Sequence, residues 1–177
     1  MTAHDDAAAA AEGPGADGSP VGGTAAARLH ELGLTLPPVA APVAAYVPAV
    51  RTGDHVWTSG QLPFVDGALA VTGLVGDGPD DVPPDVAKGL ARTAALNALA
   101  AVADLTGDLD AVVRVVKVVG FVASAPGFTG QPGVVNGASE LLGEVLGEAG
   151  VHARSAVGVA ALPLGSPVEV ELVVEVR

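Results

Sequence analysis

The spacing of apolar residues predicts strands in runs, with two longer helices between them. The clearest strand is predicted over residues 110–124, where valines follow one another almost without interruption. Further strands are predicted at residues 46–51, 55–60, 68–73, 155–161 and 168–176. Thr52-Gly53-Asp54 separates the first two of these and is typical of a hairpin turn.

Two segments repeat their apolar residues at helical spacing. The first helix is predicted over residues 85–106, after Pro83-Pro84 and before Gly107, which suits a helix C-terminus. The second is predicted to begin near Pro132, because proline fits the first helical turn. Residues 28–34 favour a short helix or a turn.

This order of elements, β-β-(β)-α-β-α-β-β, predicts an α+β fold. Because the strands come in runs with the helices inserted between them, we expect a mixed β-sheet with both helices packed on one face. The other face would then expose many valines, and the simplest way to cover it is oligomerisation.

The first 26 residues have a different composition. They are mostly Ala, Gly, Pro, Ser and Asp and contain almost no large apolar side chain. Such a segment cannot bury enough surface to offset the entropy lost on ordering. We therefore predict a disordered tail at residues 1–26, with a short Ala-rich helix as the alternative, and a single domain at residues 27–177. Deleting the tail is expected to leave folding and activity nearly unchanged.

Composition and charge exclude several classes of protein. Eight Lys and Arg against twenty Asp and Glu give a net charge of −12, which disfavours nucleic acid as a partner. No apolar run approaches the roughly 20 residues that span a bilayer, so no membrane partner is expected. The N-terminus has no basic segment typical of a secretory signal. These features together predict a cytoplasmic protein.

No metal or cofactor is predicted. The chain has no cysteine, and its four histidines (His4, His30, His55 and His152) stand far apart, without ligands at metal-binding spacing. Surface or capping roles are therefore the favoured interpretation of these histidines.

Arg154 is the strongest candidate for a functional residue. It stands where a predicted strand of small and apolar residues begins, and its planar guanidinium is suited to binding a carboxylate through two parallel hydrogen bonds. The alternative is an arginine solvated at the sheet edge. Glu169 and Glu171 share one face of the last strand. Either could be a solvated acid, or could orient a water if that strand lies beside Arg154.

Several blocks of the sequence resemble the Rid family (reactive intermediate deaminases, also called YjgF-like). The C-terminal block runs from Arg154 through Leu162-Pro163 to Val168-Glu169-Val170-Glu171. Tyr46-Val47-Pro48 and Ser59-Gly60-Gln61 are similar to the family's N-terminal hairpin, and Val135-Asn136-Gly137 falls where its second helix carries an Asn. The blocks are in family order and cover about residues 36–176.

The resemblance implies a chorismate-mutase-like fold, a homotrimer and three sites in the clefts between subunits. It also implies hydrolysis of enamines and imines such as 2-aminoacrylate to a keto acid and ammonia, without metal or cofactor. Arg154 would hold the substrate carboxylate, and Glu169 would position or activate the water. Tyr46, Ser59 and Asn136 would line the cleft.

Two alternatives to this function remain. Longer segments around residues 77–84 and 124–133 indicate a longer Rid-like subgroup, and fold similarity alone does not transfer an activity. The same clefts could therefore bind a small carboxylate metabolite without catalysis. Some family members are called endoribonucleases, but the charge of −12 argues against RNA as a substrate.

Overall fold

The computed structural model describes residues 24–39 and 45–177. Its helices are α1 (Ala25–Glu31), α2 (Pro84–Thr106) and α3 (Gln131–Leu146), with short 3-10 turns at Leu109–Ala111, Gly147–Gly150 and Pro163–Gly165. Its strands are β1 (Ala49–Thr52), β2 (His55–Thr58), β3 (Phe64–Val65), β4 (Ala68–Leu69), β5 (Val112–Ala123), β6 (Ala153–Val159) and β7 (Val168–Val176).

Five strands form one mixed sheet in the order β1-β2-β7-β5-β6. β5 and β6 run parallel, and the other neighbouring pairs are antiparallel. The predicted α+β class and mixed sheet are confirmed. The strand predicted at residues 68–73 is shorter, and β4 pairs with β3 in a separate two-stranded hairpin.

The alternation along β7 separates the two faces of the sheet. Six apolar residues of this strand are buried, and five of them alternate with three glutamates and with the sixth, Val173. The alternating set is Val168, Val170, Leu172, Val174 and Val176. Because successive side chains of a strand point to opposite faces, this set faces α2 and α3. We call the side covered by the helices the helix face and the other side the open face.

α2 and α3 pack against each other at very short range. A Cβ atom at Gly137 of α3 would collide with the backbone carbonyl of Lys88 in α2. Most buried residues of α2 are alanines, whose small side chains also let a neighbouring backbone approach closely. Lys88 pairs with Glu140, and Arg92 pairs with Glu144, across the rim of this contact.

A third helix, α1, joins the helical layer, so the predicted pair of helices is incomplete. Ala25 and Leu29 of α1 are buried. The Ala25 N–H donates to Asp110 Oδ1 at 2.8 Å, and Arg28 donates to the Val145 carbonyl at the C-terminal end of α3. The predicted boundary between tail and domain at residue 26 therefore falls inside α1. Residues 1–23 of the predicted tail lie outside the described residues.

The open face carries apolar side chains without a covering layer in one chain. Trp57 is 50 % exposed, and Val50 and Val157 are about equally exposed. Together with Val119 and Val173, Trp57 lines a depression of about 270 Å³ on this face. In the part of the chain that the structure describes, no helix is long and apolar enough to cross a bilayer.

Two truncations separate the tail from α1. A chain that begins at Thr24 keeps the hydroxyl that accepts from the Ala27 N–H at the helix N-terminus, whereas one that begins at Ala27 loses this cap and the buried Ala25. We expect the second truncation to lower the free energy of unfolding by about 1–3 kcal/mol relative to the first, since a cap alone contributes about 0.5–2 kcal/mol. Urea unfolding of the two chains at equal concentration measures the difference. Equal stability would contradict the burial of Ala25.

Candidate functional site

Arg154 lies near the start of β6, which is an edge strand of the sheet. Its partner in the parallel register is Val118 of β5, a fully buried residue. Neighbouring residues of paired strands point to the same side, so the Arg154 side chain leaves the sheet on the helix face. The side chain is only partly buried, because no further strand follows β6.

The first turns of α3 hold the guanidinium of Arg154. Nη1 donates to Asn136 Oδ1 at 2.8 Å and to Ser139 Oγ at 3.0 Å, and Nη2 donates to the Pro132 carbonyl at 3.2 Å. Asn136 and Ser139 are three residues apart and therefore lie on one face of the helix. The structure thus brings together Arg154 and Asn136, both predicted from the sequence.

These contacts leave part of the guanidinium available. An arginine has five N–H donors, of which three are used here. Nε–H and one N–H of Nη2 have no partner among the described residues. Two donors are the number that a carboxylate uses when it binds an arginine in bidentate fashion.

Ser139 and His152 complete the surroundings of Arg154, and neither was assigned to the site from the sequence. Ser139 Oγ lies 3.0 Å from His152 Nε2, and His152 Nδ1 lies 2.6 Å from the Gly150 carbonyl. Together with Arg154 they line an open depression of about 340 Å³. The sequence places each near a predicted residue, because His152 is two residues before Arg154 and Ser139 is three after Asn136, but it does not show that the two meet.

Glu169 lies on the open face of the sheet. It alternates with the buried Val168 and Val170 of β7, and its partner across the sheet is Phe121 of β5. Its carboxylate also covers Gly60, where any Cβ atom would collide with it. Burial raises the pKa of Glu169, and the nearby charge of Glu171 raises it further.

Ser59 and Tyr46 lie near Glu169, away from Arg154. Ser59 precedes Gly60, and its hydroxyl donates to the Val47 carbonyl at 2.7 Å. Tyr46, next to Val47, is 57 % exposed. In the described structure these residues form the rim of the hairpin end of the sheet, where Tyr46 is open to solvent or to a partner.

The candidate residues therefore form two groups in one chain. Arg154 and Asn136 are on the helix face at the β6 edge, whereas Glu169 is on the open face of β7, and β5 lies between these two strands. The condition under which Glu169 or Glu171 could orient a water at Arg154, that β7 lies beside it, is therefore not met within one chain. Glu171 shares the open face with Glu169, as the spacing of two predicted.

Among residues 24–39 and 45–177, no three His, Cys, Asp or Glu side chains gather closely enough to hold a metal ion. The two groups of candidate residues offer a guanidinium, hydroxyls, an amide, an imidazole and a carboxylate.

The fold is that of a small α+β protein, with a mixed five-stranded sheet, one helical layer and an arginine on the parallel edge strand. A family model described as "YjgF/chorismate mutase-like, putative endoribonuclease" matches residues 26–176. The chain belongs to this YjgF-like family, as the Rid resemblance predicted.

Three relatives cover nearly the whole domain. Protein TCP17 of Trypanosoma cruzi is 45 % identical over 156 residues, which are 88 % of this chain and 96 % of TCP17. The crystal structure of Atu1372 from Agrobacterium tumefaciens, a protein with unknown function, is 48 % identical with a TM-score of 0.78, covering 86 % of this chain and 92 % of Atu1372. A structure from Shewanella oneidensis MR-1, named a putative endoribonuclease, is 33 % identical with a TM-score of 0.82, covering 87 % of this chain and 100 % of that one.

The raised pKa of Glu169 predicts how stability depends on pH. Above its usual titration range the unfolded chain has lost the Glu169 proton while the folded chain still holds it, so stability falls as pH rises through this window. Glu169→Gln removes this fall. We expect the variant to match the wild type near pH 4 and to become the more stable of the two by pH 7.

Urea unfolding from pH 4 to 8, at one protein concentration, measures this difference. Glu148→Gln, at an exposed position in the Gly147–Gly150 turn, is the matched control for losing one negative charge. A Glu169→Gln variant whose advantage does not grow with pH, or grows no more than that of the control, contradicts the burial of the carboxylate.

Proposed function

We propose that this protein hydrolyses reactive enamines and imines that carry a carboxylate, such as 2-aminoacrylate, giving a keto acid and ammonia. The observation that carries the proposal is the guanidinium of Arg154, held by α3 with two donors left for a carboxylate. Membership of the YjgF-like family and the Rid-like motifs support the same reaction class.

The proposed chemistry asks little of the protein beyond orientation and proton transfer. The carbon of a protonated imine is already electrophilic, so it needs a held substrate, a water and groups that move protons. Arg154 fixes the carboxylate and thereby the adjacent imine carbon. The reaction requires neither a redox step nor an activated leaving group.

Glu169 is the proposed group that positions or activates the water. Its raised pKa makes the carboxylate a better proton acceptor than an ordinary glutamate. Gly60 leaves room for this carboxylate beside the backbone of the hairpin end. Ser59 and Tyr46 stand next to that position and are proposed to line the same cleft.

A site with both Arg154 and Glu169 needs two copies of the chain. In one chain these residues leave the sheet on opposite faces, with β5 between their strands. The open face around Glu169 exposes Trp57 and Val157, which a second copy could cover. We therefore propose a homotrimer, with each cleft built from the Arg154 side of one subunit and the Glu169 side of the next.

RNA cleavage is the other activity that the family description suggests. Twelve more acidic than basic residues repel a polyanion, and the site offers a single arginine for phosphate binding. Binding of a carboxylate metabolite without catalysis would use the same Arg154. RNA cleavage and metabolite binding without catalysis each predict a different result when Arg154 is substituted.

Substitutions of Arg154 test the carboxylate-binding role. Arg154→Lys keeps the positive charge but loses the planar guanidinium that forms two parallel hydrogen bonds. Arg154→Ala loses both the charge and these hydrogen bonds. Because each charge-assisted bond contributes about 1.5–3 kcal/mol, we expect kcat/KM to fall at least about a hundredfold in both variants. Ammonia release is measured from 2-aminoacrylate made enzymatically, and from imino acids made by an amino-acid oxidase.

Arg51→Lys is the matched control, because Arg51 lies on the other edge strand, β1, and is exposed. It should keep the wild-type rate. Arg154 variants with near wild-type turnover would mean that Arg154 is only a solvated edge residue. A wild type that binds pyruvate without releasing ammonia would instead identify a metabolite-binding protein, and cleavage of RNA would favour the nuclease.

Mixing two inactive variants tests the shared cleft. If the cleft combines two subunits, Arg154→Ala and Glu169→Gln chains that are unfolded and refolded together regain some intact clefts. Random assembly of a closed ring gives about a quarter of the wild-type activity at a 1:1 ratio. Light scattering of the wild type at micromolar concentration gives the subunit number.

Variants refolded separately and then mixed serve as the control for subunit exchange. No recovery after refolding together, or a monomer that turns over imines, would contradict the two-subunit cleft.

A further inference from the structure

Ser139 and His152 form a chain of hydrogen bonds with Arg154 to which the proposed reaction gives no role so far. Ser139 Oγ stands between Arg154 Nη1 and His152 Nε2, at 3.0 Å from each. The chain ends on the backbone, where His152 Nδ1 meets the Gly150 carbonyl at 2.6 Å. All three side chains border the 340 Å³ depression.

The partners fix the direction of each hydrogen bond in the neutral state. A carbonyl only accepts, so Nδ1 of His152 donates to Gly150 and Nε2 is left as an acceptor. The Ser139 hydroxyl therefore donates to His152. Because the guanidinium of Arg154 only donates, Ser139 also accepts from it. While His152 is neutral, the single hydroxyl proton of Ser139 is therefore used in the hydrogen bond to His152 and is not available to a ligand.

Protonation of His152 changes this arrangement. Nε2 then carries a proton and donates to Ser139, while Arg154 continues to donate to the same oxygen. A hydroxyl has two acceptor positions and one proton, so both acceptor positions are filled and the O–H must turn away from both cations. The open side of Ser139 is the depression, which places a hydrogen-bond donor in front of a bound ligand.

The surrounding charges couple this change to ligand binding. Arg154 is the charged group in contact with the pair. The acidic residues of α3, Glu140 and Glu144, are paired with Lys88 and Arg92 of α2, and Glu148 is exposed in the following turn. A second positive charge on His152 is unfavourable beside Arg154 alone, and a carboxylate bound to Arg154 offsets it. Binding of an anion to Arg154 should therefore favour the protonated form of His152. Protonated His152 should in turn favour binding of the anion.

We propose that Ser139 and His152 are the proton-delivery pair for a ligand that Arg154 holds by its carboxylate. The inference rests on the proposed imine hydrolysis, in which the amine nitrogen must gain a proton before it can leave. The pair supplies an acid on the Arg154 side of the cleft, whereas Glu169 supplies the base.

The protons of this step balance. Water adds to the carbon of the protonated imine and gives one proton to Glu169. Ser139 then passes its proton to the amine nitrogen and takes the Nε2 proton of His152. The C–N bond breaks with its electron pair on nitrogen, and the hydroxyl of the collapsing intermediate returns its proton to His152. The proton on Glu169 leaves with ammonia as ammonium, so both groups regain their starting states.

Substitution of His152 separates proton delivery from mere support of Arg154. We expect His152→Gln to lower kcat for imine hydrolysis by about a hundredfold, the usual scale of a lost general acid. KM should change less than about threefold, and the loss of kcat that we expect for the wild type at alkaline pH should be absent from the variant. Ser139→Thr, which keeps a hydroxyl, should retain much of the activity that Ser139→Ala loses.

His30→Gln is the matched control, because His30 is exposed on α1, and it should behave as the wild type. If His152 only fixed Arg154, His152→Gln would raise KM and leave kcat and its pH profile intact. That result, or Ser139→Ala at the wild-type kcat, overturns the proposal.

Nuclear magnetic resonance of the histidine ring nitrogens gives a readout that does not depend on turnover. Neutral His152 should carry its proton on Nδ1, and saturating pyruvate should change the ring-nitrogen chemical shifts of His152 in the wild type. If pyruvate binds but the ring-nitrogen signals of His152 do not change, the proton-delivery proposal is wrong, whereas carboxylate binding by Arg154 is supported. If pyruvate does not bind, or binds Arg154→Gln with the same affinity as the wild type, the proposed carboxylate site is wrong. The proposed role of Ser139 and His152 is then wrong too.

Discussion

The alternation of valine and glutamate along β7 decides how the rest of the molecule is arranged. Its buried residues place α2 and α3 on one face, and the same pleat sends Glu169, Glu171 and Glu175 to the other. A sheet with carboxylates on one side cannot bury that side in its own chain at low cost. The open face therefore remains at the surface, with Trp57 and several valines beside the acids.

Parallel pairing of β5 and β6 places Arg154 opposite to these acids. A parallel connection needs a crossover, and here α3 supplies it by returning the chain over the helix face. The first turns of α3 consequently lie above the β6 edge, where Asn136, Ser139 and Pro132 meet the guanidinium. The element that completes the core is thus also the one that orients the arginine, so substitutions in α3 should not be interpreted as purely structural.

Much of this arrangement could be predicted from the sequence, because strong periodicity fixes strands such as β5 and helices such as α2. The start of α1 was missed since Ala25 carries no apolar pattern of its own, and its burial depends on the distant Asp110. Ser139 and His152 were missed for a similar reason. Thirteen residues separate them, and their contact arises only when α3 packs beside β6. The opposite positions of Arg154 and Glu169 depend on strand order, which local patterns do not reveal.

The net charge places a further demand on a site for anions. A chain with twelve excess negative charges repels a carboxylate at long range, although salt screens this field beyond about 8 Å. Recognition therefore has to come from short-range, oriented bonds rather than from a general positive potential. Three protein contacts on Arg154 meet this demand, because they fix the guanidinium before a ligand arrives and reduce the ordering cost of binding. If Arg154 binds a carboxylate as proposed, the same argument predicts that lysine, with its mobile point charge, is a poor substitute at this position.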